Sequence, residues 1–201
     1  MEIQEVMMQR WQKLQIENQC NKGVIIMNYH NLTYPDMNNG SGLRVVLWLS
    51  GCSHHGKGCQ NPQTWNPNSG IKFDDKAFNE LFDELEKDYI SGLTLTGGDP
   101  MFVDNLDEVY GICSLIKRLY PEKTIWLYTG YTWEELHSVY GENTYRNDER
   151  RLILKYCDVL VDGEYKEELR DITLQWRGSK NQRVIDVKES LKQNKVVLYC
   201  D

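Results

Sequence analysis

The sequence predicts an α/β fold with a mainly parallel sheet and flanking helices. Short continuous apolar runs recur along the chain, helical patterns separate several of them, and the composition is that of a globular domain. The 201 residues include 40% hydrophobic and 26% charged side chains, enough for one domain with a packed core. Continuous apolar runs are typical of strands that are buried on both faces, as in a parallel sheet.

The elements follow from these patterns. Strands are predicted at residues 24–27, 45–49, 93–96, 124–128 and 159–161. A first helix is predicted after the N-terminal caps Asp74 and Asp75, with Phe78, Leu81, Phe82 and Leu85 at helical spacing. Further helices are predicted over residues 106–117, 132–140 and 151–156. Residues 37–42 are rich in Asn, Gly and Ser and predict a loop. Because the carboxyl ends of parallel strands share one edge of a sheet, the loops at residues 50–61 and 97–100 are expected to converge there.

Composition narrows the functional classes. Residues 1–22 form a predicted N-terminal extension with a weak helical pattern, and residues 23–201 form a single domain. A net charge of −7 disfavours nucleic acid and anionic membranes as partners. Six cysteines are too few for a disulfide scaffold in a chain of this length, and neither a signal peptide nor a membrane segment is recognisable. A cytoplasmic protein with reduced thiols is expected.

The segment that follows the strand at residues 45–49 contains a misleading phosphate-loop pattern. Gly51, Gly56 and Lys57 match the glycines and lysine of G-x-x-x-x-G-K. Gly58 then stands where a serine or threonine would hold magnesium, and Pro62 does not continue into the required helix. The sequence therefore argues against a nucleoside triphosphatase.

The same segment contains a candidate metal loop. Cys52, His54, His55 and Cys59 are all potential zinc ligands. Six residues separate the two cysteines and no second ligand pair follows, which departs from the usual spacing of structural zinc sites. A zinc site and a loop with a simply buried thiol both remain open on this spacing.

A second loop carries two glycines and an acid, in the order Gly97-Gly98-Asp99-Pro100. Paired glycines allow a ligand to approach the backbone closely, and a carboxylate can accept hydrogen bonds from an amino-acid ammonium group. The alternative is an ordinary β-turn, for which these residue types are equally suited.

Taken together, the segments resemble the radical S-adenosylmethionine (SAM) enzymes, and within them the activating enzymes of anaerobic ribonucleoside-triphosphate reductases. The resemblance covers residues 28–187 and is carried by residues 39–44, 50–61, 64–65, 96–100, 126–131, 158–163 and 177–183. It implies an open, shortened β/α barrel of the radical SAM type with the cofactors at the carboxyl ends of the strands.

The resemblance also implies the chemistry. In this family three cysteines spaced C-x-x-x-C-x-x-C bind three irons of a 4Fe-4S cluster, and SAM chelates the fourth iron. Reduction by an external electron donor cleaves SAM to methionine and a 5′-deoxyadenosyl radical. That radical takes a hydrogen atom from a glycine of the partner, the glycyl-radical subunit of the reductase.

The site residues are carried over by position. Cys52 and Cys59 match the first and third cluster ligands. The residues expected to bind the cofactors are Gly58, Cys59, Gln60, Gly97, Gly98, Asp99, Thr129, Asn181 and Arg183. Trp65 is expected near the site, whereas Trp48, Trp126 and Trp176 and the thiols of Cys113 and Cys157 are predicted to pack in the core.

One departure from the family pattern concerns the middle ligand, because Gly56 stands in its place. Three interpretations follow: an active enzyme with an altered loop, a partner-binding variant that has lost catalysis, or a site completed by a distant group such as His54, His55 or Cys20. The first is preferred because the glycine-glycine-acid loop and residues 178–183 remain similar to the family.

Overall fold

The protein was analysed as a computed structural model, which describes residues 27–139 and 146–200 together with Gln9. Eight strands form one sheet: β1 (Asn28–Asp36), β2 (Arg44–Leu49), β3 (Ile71–Lys72), β4 (Gly92–Gly97), β5 (Thr124–Tyr128), β6 (Val159–Asp162), β7 (Arg183–Asp186) and β8 (Leu198–Cys200). The α-helices of the described residues are α1 (Asp75–Leu85), α2 (Leu106–Leu119), α3 (Trp133–His137), α4 (Asn147–Leu154) and α5 (Val187–Gln193). None of the helices in these residues is long and apolar enough to cross a membrane.

The sheet is mixed, with a parallel centre. Its strand order is β3-β1-β2-β4-β5-β6-β7-β8. The neighbours from β2 through β4 and β5 to β6 pair in parallel, whereas β1, β3, β7 and β8 pair antiparallel. The predicted α/β class is confirmed, and the parallel strands coincide with four of the five predicted strands.

The two faces of the sheet have different neighbours because side chains alternate along each strand. On one face, Leu47, Leu95 and Leu127 belong to the main core together with the apolar residues of α1 and α2. On the other face, Trp126 packs in a smaller cluster with residues of β6 and β7. Cys113 and Cys157 are fully buried in the main core, which confirms their predicted role.

Arg44 links the amino end of β2 to β4 and β5 through hydrogen bonds. It is completely buried, and its guanidinium donates to the hydroxyls of Thr94 (2.6 Å) and Thr124 (3.0 Å) and to the carbonyl of Leu93 (2.6 Å). The guanidinium also lies 5.5 Å from the centre of the Trp126 ring. Burial lowers the pKa of Arg44 to about 10, so the side chain remains a cation that the surrounding oxygens must stabilise.

Some predicted boundaries were wrong or lie outside the described residues. The extension at residues 1–22 is outside them except for Gln9, as are residues 24–26 of the first predicted strand. Met27 is not in a strand, and β1 begins at Asn28. Helix α3 ends at His137, before the predicted residue 140, and α4 begins at Asn147, four positions before the predicted start at residue 151.

Candidate functional site

A cavity of about 430 Å³ lies at the carboxyl ends of the parallel strands. The loops that follow β2 and β4 meet there, as their positions in the sequence predict. The predicted site residues that line it are Cys52, Cys59, Gln60, Gly97, Gly98, Asp99 and Thr129. Gly58 adjoins this group in the loop after β2, between the lining residues Gly56 and Cys59.

Backbone contacts hold the two loops against each other. The amide of Asp99 donates to the carbonyl of Gly51 at 2.7 Å, and the side-chain amide of Asn105 donates to the carbonyls of Ser50 (2.8 Å) and Asp99 (3.0 Å). A β-carbon added to Gly98 would lie only 2.5 Å from the Gly51 oxygen. Glycine at position 98 therefore permits the close approach that forms the cavity.

The cysteine loop presents two sulfur atoms with hydrogen-bond donors. The amide of Asn61 donates to Sγ of Cys59 at 3.4 Å, and the amides of His54 and His55 face the thiol of Cys52. Burial and the nearby Asp99 charge raise the pKa of the Cys52 thiol, although these two amides oppose the increase. Amide hydrogen bonds to ligand sulfurs are one of the ways in which proteins tune iron-sulfur clusters.

The two histidines of this loop point elsewhere. His54 Nε2 lies 2.9 Å from Oδ2 of Asp99, and its ring packs edge-on against Tyr131 with centroids 4.5 Å apart. His55 stacks on Trp65 at 4.8 Å. Within residues 27–139 and 146–200, no group of three or more His, Cys, Asp or Glu side chains is arranged to hold a single metal ion. The described geometry therefore gives no support to the zinc alternative.

The Asp99 carboxylate accepts several hydrogen bonds beside the cavity. Its side chain is almost fully buried and accepts hydrogen bonds from the Met101 amide (2.7 Å), the Thr129 hydroxyl (2.8 Å) and the Gly130 amide (3.1 Å). The sequence suggests that this carboxylate accepts from a ligand ammonium group. In the structure its oxygens already have these protein donors, in addition to the contact with His54.

Two of the predicted late residues, Asn181 and Arg183, bind neighbouring protein groups, while Gln182 between them lines the cavity. The Asn181 side chain donates to the backbone carbonyl of Glu164 at 2.7 Å, and the Arg183 guanidinium binds Asp162 (2.5 Å) and Glu134 (2.7 Å). Neither Asn181 nor Arg183 is among the residues that line the cavity. Because Arg183 pairs with Asp162 across β6 and β7, its side chain is occupied within the sheet, and its hydrogen bonds to Glu134 lower the pKa of that carboxyl.

Other lining residues were not among the predicted site residues. Trp48 and Trp176 are half-buried and line the cavity beside Trp65, although both were predicted in the core; Trp126 alone of the three is fully buried there. Arg177 also lines the cavity. Apart from Nε2 of His54, which contacts Asp99, the buried side-chain nitrogen and oxygen atoms without a partner among the described residues are Nε1 of Trp65, Nε of Arg177 and Oδ1 of Asn181. Trp65 and Arg177 line the cavity, and unpartnered donors at a cavity wall are expected where a polar ligand binds.

The cavity contains two of the three cysteine thiolates that are expected to hold the cluster. Cys52, Cys59 and Gly56 line the same cavity, and the amide of Cys59 donates to the carbonyl of Gly56 at 3.1 Å. Gly56 contributes no ligating atom, but it leaves room: an added β-carbon would contact only the flexible carboxylate of Glu164 and the carbonyl of Tyr165, at 3.2 Å and more. Position 56 can therefore supply no third protein ligand beside Cys52 and Cys59.

Comparison with known proteins agrees with this geometry. Residues 38–185 match the family described as "4Fe-4S single cluster domain". The anaerobic ribonucleoside-triphosphate reductase-activating protein of Enterobacteria phage T4 is 43% identical over 158 residues, which are 79% of this chain and 93% of the relative. The proteins of the same name from Vibrio cholerae and Escherichia coli (strain K12) are 41% and 36% identical, over 78% and 79% of this chain and 96% and 97% of those proteins.

These matches include the loop with Cys52 and Cys59 and the loop with Gly97 and Gly98, which meet in the cavity. The chain therefore belongs to the family of anaerobic ribonucleoside-triphosphate reductase-activating proteins and contains a 4Fe-4S single cluster domain.

Proposed function

We propose that this chain is a cytoplasmic activating enzyme that cleaves SAM reductively at a 4Fe-4S cluster and thereby generates a glycyl radical on an anaerobic ribonucleoside-triphosphate reductase. One observation carries the proposal: two cysteine thiols and a glycine-glycine-acid loop line the same cavity. The names of the relatives supply the partner, because each is described as activating this reductase. We further infer that the sheet corresponds to an open β/α barrel of the radical SAM type.

Each side of the cavity has a proposed role. Cys52 and Cys59 would hold the cluster, and the amide of Asn61 would stabilise a thiolate at Cys59. The backbone around Gly97 and Gly98 would orient SAM, while Asp99 keeps that loop in position through its buried hydrogen bonds. When bound, a reduced cluster and SAM together supply the radical that abstracts the glycine hydrogen.

The aromatic wall would keep the reaction away from water. Trp48, Tyr128 and Trp176 line the cavity on the face opposite the main core. Burial raises the pKa of Tyr128, so its hydroxyl stays neutral and adds no charge to this wall. Arg177, which lines the cavity and has an unpartnered buried Nε, would attract the carboxylate of SAM.

A second candidate function is favoured by Gly56. A family member with two cluster thiolates could still bind the reductase while lacking activity, since these clusters are held mainly by cysteine sulfur. The two functions differ in one measurable property, the ability of the reconstituted chain to cleave SAM.

The test is anaerobic reconstitution with iron and sulfide. An active enzyme should bind about four irons per chain, form 5′-deoxyadenosine when reduced in the presence of SAM, and produce a glycyl-radical EPR signal on the reductase. Cys52→Ala and Cys59→Ala should lose the iron, whereas Cys200→Ala, which changes a half-buried cysteine in β8, should retain it. Binding to the reductase without 5′-deoxyadenosine formation would instead support the inactive variant.

A further inference from the structure

The position of the missing cluster ligand lies next to a carboxylate. A β-carbon added to Gly56 would be 3.2 Å from Oε1 and 3.6 Å from Cγ of Glu164. Glu164 and Gly56 both line the cavity that contains Cys52 and Cys59. The carboxylate of Glu164 therefore stands beside the point at which a ligand side chain from position 56 would begin.

This carboxylate is free to bind a ligand, while its backbone is fixed. Glu164 is half-buried, and within residues 27–139 and 146–200 its side-chain oxygens form no hydrogen bond or ion pair. Its backbone carbonyl accepts from the Asn181 side chain at 2.7 Å, and the carbonyl of Gly163 accepts from the Gln182 side chain at 3.0 Å. The Glu164 oxygens are not among the buried side-chain atoms of the described residues that lack a partner, so they remain accessible to a ligand.

The histidines that could have completed the site are engaged elsewhere. His54 contacts Asp99, and His55 stacks on Trp65. A carboxylate is also the better replacement on charge, because it carries the single negative charge of the thiolate that it replaces, whereas a neutral imidazole does not. Carboxylates are established ligands of iron, and clusters with a non-cysteine ligand on one iron are known.

We propose that Glu164 is the third protein ligand of the cluster, through an iron–oxygen bond that replaces the thiolate absent at position 56. This inference rests on the proposed function, since it requires that a cluster forms at Cys52 and Cys59. The three groups need not converge on one ion, because each ligand of a 4Fe-4S cluster binds a different iron.

The test compares Glu164→Gln with the wild type in two backgrounds, with Gly56 unchanged and with Gly56→Cys. The matched control is Glu168→Gln, which makes the same charge change at an exposed position of the same segment. The readouts are iron and sulfide per chain, the rate of iron loss to a chelator, and ⁵⁷Fe Mössbauer spectra, which separate oxygen-bound from thiolate-bound iron. None of them depends on enzymatic activity.

A ligand role predicts a result that depends on the background. With Gly56, Glu164→Gln should lose iron at least about tenfold faster than the wild type, since even outer-shell partners change metal affinity by 10- to 100-fold. With Gly56→Cys the same change should have little effect, because the thiol takes over the iron. Equal effects in both backgrounds would identify Glu164 as a purely electrostatic neighbour and overturn the inference.

The result also separates the two proposals. If Glu164→Gln keeps its iron as well as Glu168→Gln does, the Glu164 inference fails and the proposed function stands. If only Gly56→Cys assembles a cluster, the Glu164 inference fails and the unaltered chain is the inactive, partner-binding variant. If neither the wild type nor Gly56→Cys assembles a cluster, the proposed function fails as well. If the wild type assembles a cluster that Glu164→Gln loses selectively, both are supported.

Discussion

Replacement of Gly98 by alanine should separate the two loops that form the cavity. The added β-carbon would lie 2.5 Å from the Gly51 carbonyl oxygen and 3.1 Å from the Gly51 carbon and nitrogen. Ordinary contact begins at 3.4 Å, so the backbone must move by about 0.9 Å. The obstacle is backbone and not a flexible side chain, and Gly51 is itself fixed by a hydrogen bond from its amide to the Thr64 carbonyl at 2.7 Å.

The magnitude follows from two contributions. Overpacking of this kind costs about 1–3 kcal/mol. Loss of the hydrogen bond from the Asp99 amide to the Gly51 carbonyl adds about 0.5–1.5 kcal/mol. We therefore expect Gly98→Ala to lower the free energy of unfolding by about 2–4 kcal/mol, and the melting temperature by several degrees.

Gly56→Ala is the matched comparison, because it changes a glycine that lines the same cavity. Its β-carbon would meet only the movable Glu164 carboxylate at 3.2 Å, so we expect a change within about 1 kcal/mol. Urea unfolding followed by circular dichroism measures both variants. If Gly98→Ala is as stable as Gly56→Ala, close approach of the two loop backbones does not determine the geometry of the cavity.

The other predictions concern buried polar groups. Burial raises the pKa of Glu108 in α2 to about 7, so the folded state loses stability as the pH rises from about 4.5 to 7. Glu108→Gln should therefore raise the free energy of unfolding by up to about 3 kcal/mol at pH 8 and leave it unchanged near pH 4. An equal increase at both pH values would contradict this. Arg44→Met should lower the free energy of unfolding in urea by at least about 3 kcal/mol, because it leaves the buried oxygens of Thr94 and Thr124 without their donor. A decrease below about 1 kcal/mol would contradict this. Asp99→Asn should lower thermal stability by about 1–3 kcal/mol, because an amide nitrogen cannot accept from the surrounding amides; an unchanged melting temperature would refute that role.

How far the fold could be predicted depended on where each strand lies in the sheet. Strands β2, β4, β5 and β6 were recognisable because they are covered on both faces, which requires continuous apolar sequence. Strand β1 was missed because only Tyr29 and Leu32 of its nine residues are buried. It is held by backbone pairing with β2 and β3, and such pairing has no side-chain pattern of its own.

The candidate site also has one part that the sequence predicts and one part that it does not. Convergence of the loops after β2 and β4 follows from parallel topology alone, because parallel strands present their carboxyl ends at one edge. The place of Glu164 beside Gly56 does not, because Glu164 reaches the cavity only after the chain has passed through β6, where side chains such as Asn181 fix its backbone. A ligand motif gives only the spacing of ligands within one loop, so it does not show a ligand that comes from another segment of the chain. Whether a motif with a missing member still binds its cofactor is therefore decided by the side chain that tertiary structure brings to the gap, and here that side chain is a carboxylate.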